Sequence, residues 1–245
     1  MTAFKALVTL EYHQAKRRLS SFLTGIGMPV GFFLLFSSLW SGDVPKAELS
    51  LLLKQSLFSM TAFSCISFAF FTLPISIQED RTSQFTKMLA QSPIHQWQYY
   101  TAKILRIATC FICSIVVVFG SGYLFRGISM PVLDWIVTGG LLFLGGICFL
   151  PLGIVLSALP SSETLSVISN VLYLGLALLG GLWMPTESFP EQMQIISKLT
   201  PTYHYKQLVV SYVNHQFSWK SVAILGFYAI VLSVTSAVLT KKQKG

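Results

Sequence analysis

The sequence predicts an all-α integral membrane protein with six transmembrane helices, and three observations carry that prediction. Apolar residues make up 53% of the 245 residues and charged residues only 11%, against about 25% charged in an ordinary soluble domain. The apolar residues come in blocks rather than in alternation with polar ones, and six blocks approach the roughly 20 uncharged residues that a helix needs to cross a hydrocarbon core. The formal charge of +8 comes mostly from Lys and Arg near block ends, where membrane topology accounts for them. No basic patch stands clear of an apolar run, so nucleic acid is not an expected partner.

Residues 2–20 precede the first block. Phe4, Leu7, Val8, Tyr12, Ala15 and Leu19 fall at helical spacing on one side, with Lys5, Thr9, His13 and Lys16 on the other. That pattern predicts an amphipathic helix lying in the membrane interface, in contact with lipid. The first span is predicted over residues 21–40, with Pro29 inside it and a GxxxG at Gly27 and Gly31 that permits close helix approach. It follows a charged segment and has full span length, so it reads as a retained anchor rather than a cleaved signal. The second span covers 52–77, with Lys54 at its outer end and Pro74 placed to kink its inner end. The third covers 104–125. The fourth, 135–159, is rich in glycine: Gly139, Gly140, Gly145, Gly146 and Gly153. The fifth covers 165–183, and the sixth, 222–239, runs into Lys241, Lys242 and Lys244. The chain reads as one transmembrane domain over 1–245, with no internal repeat.

Orientation follows from Lys and Arg placement. With the N-terminus inside, the inner segments hold Lys5, Lys16, Arg17, Arg18, Arg81, Lys87, Lys103, Arg106, Lys241, Lys242 and Lys244, eleven residues. The outer segments hold Lys46, Lys54, Arg126, Lys198, Lys206 and Lys220, six residues. Both termini are therefore expected in the cytoplasm.

Two connections exceed simple turns. The inner one, residues 78–103, is charged and helix-prone. Phe85, Met88 and Leu89 share one helical face, and Glu79, Asp80, Arg81 and Lys87 supply charge around it. Such a helix can seat apolar side chains in a partner's groove while its charges set register. The alternative is a solvated loop, whose exposed ion pairs would add only about 0–1 kcal/mol. The outer connection, residues 184–221, is too long for a plain connector. Ser188 and Glu191 fit a capping box with Pro190 in the first turn, Met193, Ile196 and Leu199 follow along one face, and Pro201 restricts Thr200. A second helical stretch runs from Tyr203 to Val213. Together they suggest a helical hairpin dipping into the outer leaflet, serving as an extracellular gate or, on the plainer reading, as a structural cap.

Catalytic and metal chemistry find little support. His13, His95, His204 and His215 are scattered through termini and loops, away from metal-ligand spacing, and read as surface or interface residues. Cys65, Cys110, Cys113 and Cys148 all lie inside apolar blocks, so the CxxC at Cys110 and Cys113 reads as packing. No Ser or Cys has an evident base. The chain is not expected to be an enzyme, to hold a metal or to carry a cofactor of its own.

The inner stretch from Glu79-Asp80-Arg81 through Leu89, Ser92-Pro93, Tyr100 and Lys103 resembles the permease subunits of type-2 family ABC transporters, the bacterial drug, peptide and lipid exporter class. The outer stretch from Gly181 through Pro185, Phe189-Pro190 and Leu199 to Pro201, and the N-terminal amphipathic segment, are similar to the same family in the same order. The resemblance implies a coupling helix near residues 79–93, with Glu79, Asp80, Arg81, Phe85, Met88, Leu89, Ser92 and Pro93 docking on an ATPase. It implies a dimer with a second permease copy or homologue. The chain carries no phosphate-binding glycine loop, so ATP and Mg are expected on a separate ATP-binding cassette subunit. Trp183, Pro185, Phe189, Pro190, Leu199 and Pro201 are the candidate gate. Phe32, Phe36, Phe63, Phe70 and Tyr173 are candidates for lining a substrate path.

Three functions are weighed on this basis: an ATP-driven exporter of an amphipathic or hydrophobic substrate in a bacterial plasma membrane; a membrane sensor, scaffold or immunity protein without a path; and an ion-coupled secondary transporter. The last usually places ionisable groups within spans, whereas here Lys54, Arg106 and Glu163 lie near span ends. Aromatic residues at 13% favour an apolar cargo over a small ion.

Overall fold

The computed structural model describes residues 3–17, 19–40, 46–91 and 94–242. Thr2 and Arg18 of the predicted N-terminal helix, Ser92 and Pro93 of the predicted coupling segment, and Lys244 lie outside the described residues. Among the described residues every regular element is helical. The N-terminal helix is α1 (Ala3–Arg17), and the first span is α2 (Leu19–Trp40). The second span is α3 (Lys46–Ser67), which passes through a π-helical turn (Phe68–Thr72) into α4 (Leu73–Thr82). A short α5 (Phe85–Ala90) precedes the third span, α6 (Gln96–Arg126). The fourth span is α7 (Val132–Ile147) followed by α8 (Leu150–Leu156), and the fifth is α9 (Ser162–Leu179). A 3-10 turn (Thr186–Ser188), α10 (Glu191–Ser197) and α11 (Pro201–Val213) lead to the last span, α12 (Trp219–Lys242). Six of these units are long and apolar enough to cross a membrane: α2, α3–α4, α6, α7–α8, α9 and α12.

The second span is the axis of the bundle. It is buried along most of its length and packs against α2, α6, α7, α8, α9 and α11. The outermost spans, α2, α9 and α12, turn Leu35, Val171, Phe227 and Ile230 outward, as a surface facing hydrocarbon requires. At 31 residues, α6 is about 46 Å long at 1.5 Å per residue, well beyond a core about 30 Å thick.

The kink expected at Pro74 takes the form of the π turn, in which the Leu73 N–H reaches back five residues to the Phe68 carbonyl. Pro74 has no N–H for the next carbonyl in that series, Ala69. Gly153 of α8 packs against that carbonyl, and a Cβ there would lie 2.3 Å from the Ala69 oxygen. The fourth span, expected as one run over 135–159, is broken after Ile147. Pro151 sits in the first turn of α8, where it cannot complete the ladder to Ile147. Its glycines seat an aromatic ring: Tyr205 of α11 lies against Gly145 and Gly146 and donates to the Leu142 carbonyl at 2.5 Å. The fifth span, expected to reach Trp183, stops at Leu179, because Gly181 turns the chain at a φ of +69°.

The GxxxG of α2 makes no close contact among the described residues, where nothing lies within 4 Å of a Cβ added at Gly27 or Gly31. The close approach falls instead at Gly25. Its carbonyl accepts from Ser64 Oγ at 2.6 Å, and a Cβ there would be 3.1 Å from the Phe68 ring.

Candidate functional site

Three clusters run along the axis of the bundle, the first at the end formed by α1, α4 and the start of α6. Glu11 follows Leu7 by four residues on the buried face of α1. Ser76 and Asp80 are four apart on α4, and Tyr99, Lys103 and Arg106 share one face of α6 at spacings of four and three. Packing these faces together brings two anions and two cations into one buried cluster. Lys103 Nζ lies 2.9 Å from Glu11 Oε1 and 2.7 Å from Asp80 Oδ2. Arg106 Nε lies 3.2 Å from Glu11 Oε2, an ion pair without the in-line geometry of a hydrogen bond. Tyr99 donates its hydroxyl to Asp80 Oδ2 at 2.8 Å. Lys103 is 0% exposed, Arg106 2%, Glu11 3% and Asp80 6%. The formal charges cancel, which makes such burial tolerable.

This cluster corrects the sequence reading of Asp80 as one of the charges surrounding a docking face. Its carboxylate points inward, held by Lys103 and Tyr99. Lys103 and Arg106, counted among the inner topology charges, are core residues. Glu11 was missed, although its position gave a signal: it is an acid on the apolar side of an amphipathic helix, between Leu7 and Ala15. The outward groups nearby are different. Glu79, Arg81, Phe85 and Leu89 are half-buried, and Met88 is 68% exposed. Of the three residues read as sharing one helical face, Met88 is thus the most exposed. Gln84, in the left-handed region at a φ of 61°, separates α5 from α4. Trp97, 63% exposed, stacks on Phe4 of α1 at 6.5 Å between ring centroids.

The second cluster is a column of aromatic rings. Phe36 contacts Phe32 at 5.9 Å, Phe32 contacts Trp183 at 5.7 Å, and Trp183 contacts Phe63 at 5.6 Å. Phe63 stacks on Tyr173 at 4.5 Å, and Tyr173 meets Phe70 at 6.1 Å. All five candidate path residues and the gate residue Trp183 thus belong to one chain of contacts across α2, α3, the π turn and α9. Phe63, Phe70 and Tyr173 are buried within the protomer, and Tyr173 donates to the Phe63 carbonyl at 3.1 Å. A cavity of about 460 Å³ lies beside Tyr173 and Phe71, between α2, the π turn and α9.

The third cluster is the hairpin at the opposite end. The predicted capping box does not form. Ser188 lies in the 3-10 turn, and Pro190 is the N-cap of α10 rather than a first-turn residue. A proline at N-cap has no side-chain acceptor, and Gln194 Nε2 instead bonds the Phe189 carbonyl at 2.9 Å. The second helix, expected from Tyr203, starts two residues earlier, with Thr200 capping the Tyr203 N–H and Pro201 in the first turn. The hairpin is tied down by Thr202 Oγ1 to the Leu176 carbonyl at 2.6 Å and Tyr228 to the Leu199 carbonyl at 2.7 Å, and by Ser197 to the Leu179 carbonyl.

The six candidate gate residues divide. Trp183 and Pro185 face α3 and line a water-sized cavity with Ser56 and Lys206. Phe189 and Pro201 are half-buried, and Pro190 and Leu199 are exposed on the outside together with Ile195 and Ile196. Lys206 donates to the Gly181 carbonyl at 2.8 Å, and burial lowers its pKa. His204, expected at the surface or in an interface, is buried within the chain: Nε2 donates to the Lys198 carbonyl at 2.9 Å, which leaves Nδ1 to accept from Ser221 at 3.2 Å. Burial lowers its pKa, and the charge of Lys220 adds to the effect.

Comparison with known proteins agrees with this arrangement. The family described as ABC-2 family transporter protein matches residues 43–239. The "Putative transport permease YvfS" of Bacillus subtilis (strain 168) is 30% identical over 218 residues, covering 89% of this chain and 88% of that protein. With a six-span helical bundle, and with the family match extending from the start of the second span almost to the end of the last, the chain belongs to the ABC-2 transporter family as a membrane-spanning permease.

Proposed function

We propose that this permease is the membrane half of an exporter that moves an amphipathic or hydrophobic substrate outward across a bacterial plasma membrane. The family implies an ATP-binding cassette partner in general. In this reading that partner is a separate subunit which binds ATP and Mg and docks at the inner end near α5. Two permease copies, or a permease and a homologue, enclose the path, and both termini face the cytoplasm. Nucleotide binding favours one permease state over the other, and the differential affinity drives alternating access. The hairpin of α10 and α11 serves as the outer gate, with Trp183 and Pro185 on its inward side. The N-terminal helix lies in the interface against lipid.

The observation that carries this reading is the buried cluster of Glu11, Asp80, Lys103 and Arg106. It joins the N-terminal helix, the segment leading to α5 and the start of α6 at the end where Met88 and Trp97 are exposed. A push on α5 is transmitted through α4 into the axis of the bundle, because the cluster resists local slippage. The roles of the predicted coupling residues divide accordingly. Glu79, Arg81 and Met88 meet the partner, and Asp80 anchors the segment to α6.

The test is co-expression with a candidate ATP-binding cassette ATPase from the same organism, followed by purification and transport measurement in vesicles. Glu79→Lys and Met88→Glu are expected to leave the permease folded while reducing ATPase retention or uncoupling hydrolysis from transport. Normal retention and full transport by both variants, or labelling of an engineered cysteine at Lys87 from outside intact cells, would overturn the assignment.

A further inference from the structure

The 460 Å³ cavity falls within the size range of ligand sites. It adjoins a π turn, a feature that recurs at functional sites. Its walls come from the part of α2 nearer Leu19, from the segment between Ser67 and Ile75, and from the middle of α9. In the topology proposed above, this is the cytoplasmic half of the bundle. One wall is apolar, formed by Met28, Phe71, Ile75 and Leu174 together with the Tyr173 ring.

The polar wall has a particular hydrogen-bonding character. Ser67 is buried, and its proton is committed to the Ser64 carbonyl at 2.7 Å, so its oxygen can only accept from a ligand. Asn170 commits one of its two amide N–H groups to the Ser166 carbonyl at 2.9 Å, which leaves Oδ1 as an acceptor and the second N–H as a donor at the rim. Thr72 has a hydroxyl without a hydrogen bond among the described residues, able to donate and accept. Tyr173 has already given its proton to the Phe63 carbonyl. Among the described residues the lining has no carboxylate, ammonium, guanidinium or imidazole. A charged ligand would lose hydration there without meeting a counter-charge. A hydroxyl-bearing head, which both donates and accepts, would meet acceptors and donors along this wall.

We propose that this cavity binds an uncharged amphipath: a molecule with an apolar tail along Phe71, Ile75 and Leu174 and a hydroxyl-bearing head at Ser67, Thr72 and Asn170. The inference deepens the export reading and rests on it only in calling the ligand a substrate. The site selects by charge, accepting a neutral polyol head and rejecting anionic or quaternary ammonium heads on the same tail.

The test uses the full chain in nanodiscs and a monoacylglycerol carrying a photoreactive diazirine in its tail. Labelled peptides are mapped by mass spectrometry. Competition is measured with unlabelled monoacylglycerol, a fatty acid and an alkyltrimethylammonium of equal chain length. The label is expected between Thr24 and Pro29, between Ser67 and Ile75 and between Asn170 and Leu174, and the neutral competitor should displace it at a concentration about tenfold lower than either charged one. Thr72→Val and Asn170→Leu each remove a head contact and are expected to weaken binding about five- to tenfold. Asn170 is exposed, so its replacement leaves the fold intact. Equal or better competition by a charged analogue, labelling elsewhere, or binding indifferent to both substitutions would overturn the proposal. The readout needs no ATPase, so its failure leaves the export reading standing. Selective labelling of a chain that retains no ATPase would remove the export reading and keep the site.

Discussion

Lys103→Met is the most informative perturbation of the inner cluster. Lys103 is fully buried and touches two carboxylates, Glu11 Oε1 at 2.9 Å and Asp80 Oδ2 at 2.7 Å. Methionine keeps the volume of the stem and removes the charge. Glu11 retains Arg106 at 3.2 Å. Among the described residues Asp80 retains only the Tyr99 hydroxyl, so one buried carboxylate is left there without a cation. Removing one partner of a buried pair costs about 3–5 kcal/mol. For a chain of this size that corresponds to a fall in Tm of about 6–20 °C. Adding Asp80→Asn restores the charge balance, because Glu11 and Arg106 remain as a pair and the Lys103 and Asp80 sites become neutral together. The double variant is expected to recover at least about 2 kcal/mol of the loss, a coupling energy typical of groups in direct contact. The assay is unfolding of the purified chain in detergent, followed by steric trapping or by thermal loss of the monodisperse peak. A Lys103→Met protein as stable as the parent, or a double variant whose losses simply add, would refute the reasoning.

Two further outcomes follow from the hairpin and its seat. Gly145→Ala places a Cβ 2.4 Å from the Tyr205 ring, so the ring must shift and the variant is expected to lose about 1–3 kcal/mol in the same unfolding assay, whereas Gly27→Ala is expected to leave stability unchanged. Burial holds the His204 pKa below 6.5, so the unfolded chain binds more protons than the native one over that interval. The contribution of His204 is therefore intact above pH 6.5 and is lost as pH falls below it toward the native value; thermal stability measured from pH 8 to pH 5 should decline in the parent and decline less in His204→Gln.

The spans were legible because each is a run of apolar residues whose length matches a bilayer, and the rule that reads them needs no knowledge of neighbours. The N-terminal helix was legible from its two-sided pattern; the start of α11 was placed at Tyr203, although Thr200 and Pro201 carry the cap and first-turn signals that mark it. What the sequence hid was mostly pairing across long separations. Asp80 and Lys103 are 23 positions apart, and Glu11 lies 92 positions from Lys103, so no local spacing connects them. The acid at Glu11 could still have been flagged, since a charge on an apolar helix face must find a partner. Pro151 could likewise have been read as a break in the fourth span by the reasoning applied to Pro74. The aromatic column was found by residue type alone, and the same shortcut could not separate Trp183, on the inside of the hairpin, from Leu199 on its outside.

The π turn at Phe68–Thr72 also sets the rotational phase of everything that follows it. One surplus residue in a helical turn rotates the downstream half by about 100°. The direction in which Asp80 points thus depends on a detail two turns away, inside the second span. A single deletion that returned this stretch to regular winding would swing the carboxylate off the α6 face and turn an outward-facing side chain toward Lys103. Pro74 and Gly153 together guard against that winding: the ring cannot supply the missing N–H, and the glycine leaves room for the displaced carbonyl. The second span thereby behaves as two rods joined at a fixed angle of twist, and a torque applied at the inner rod reaches the outer one only through this joint.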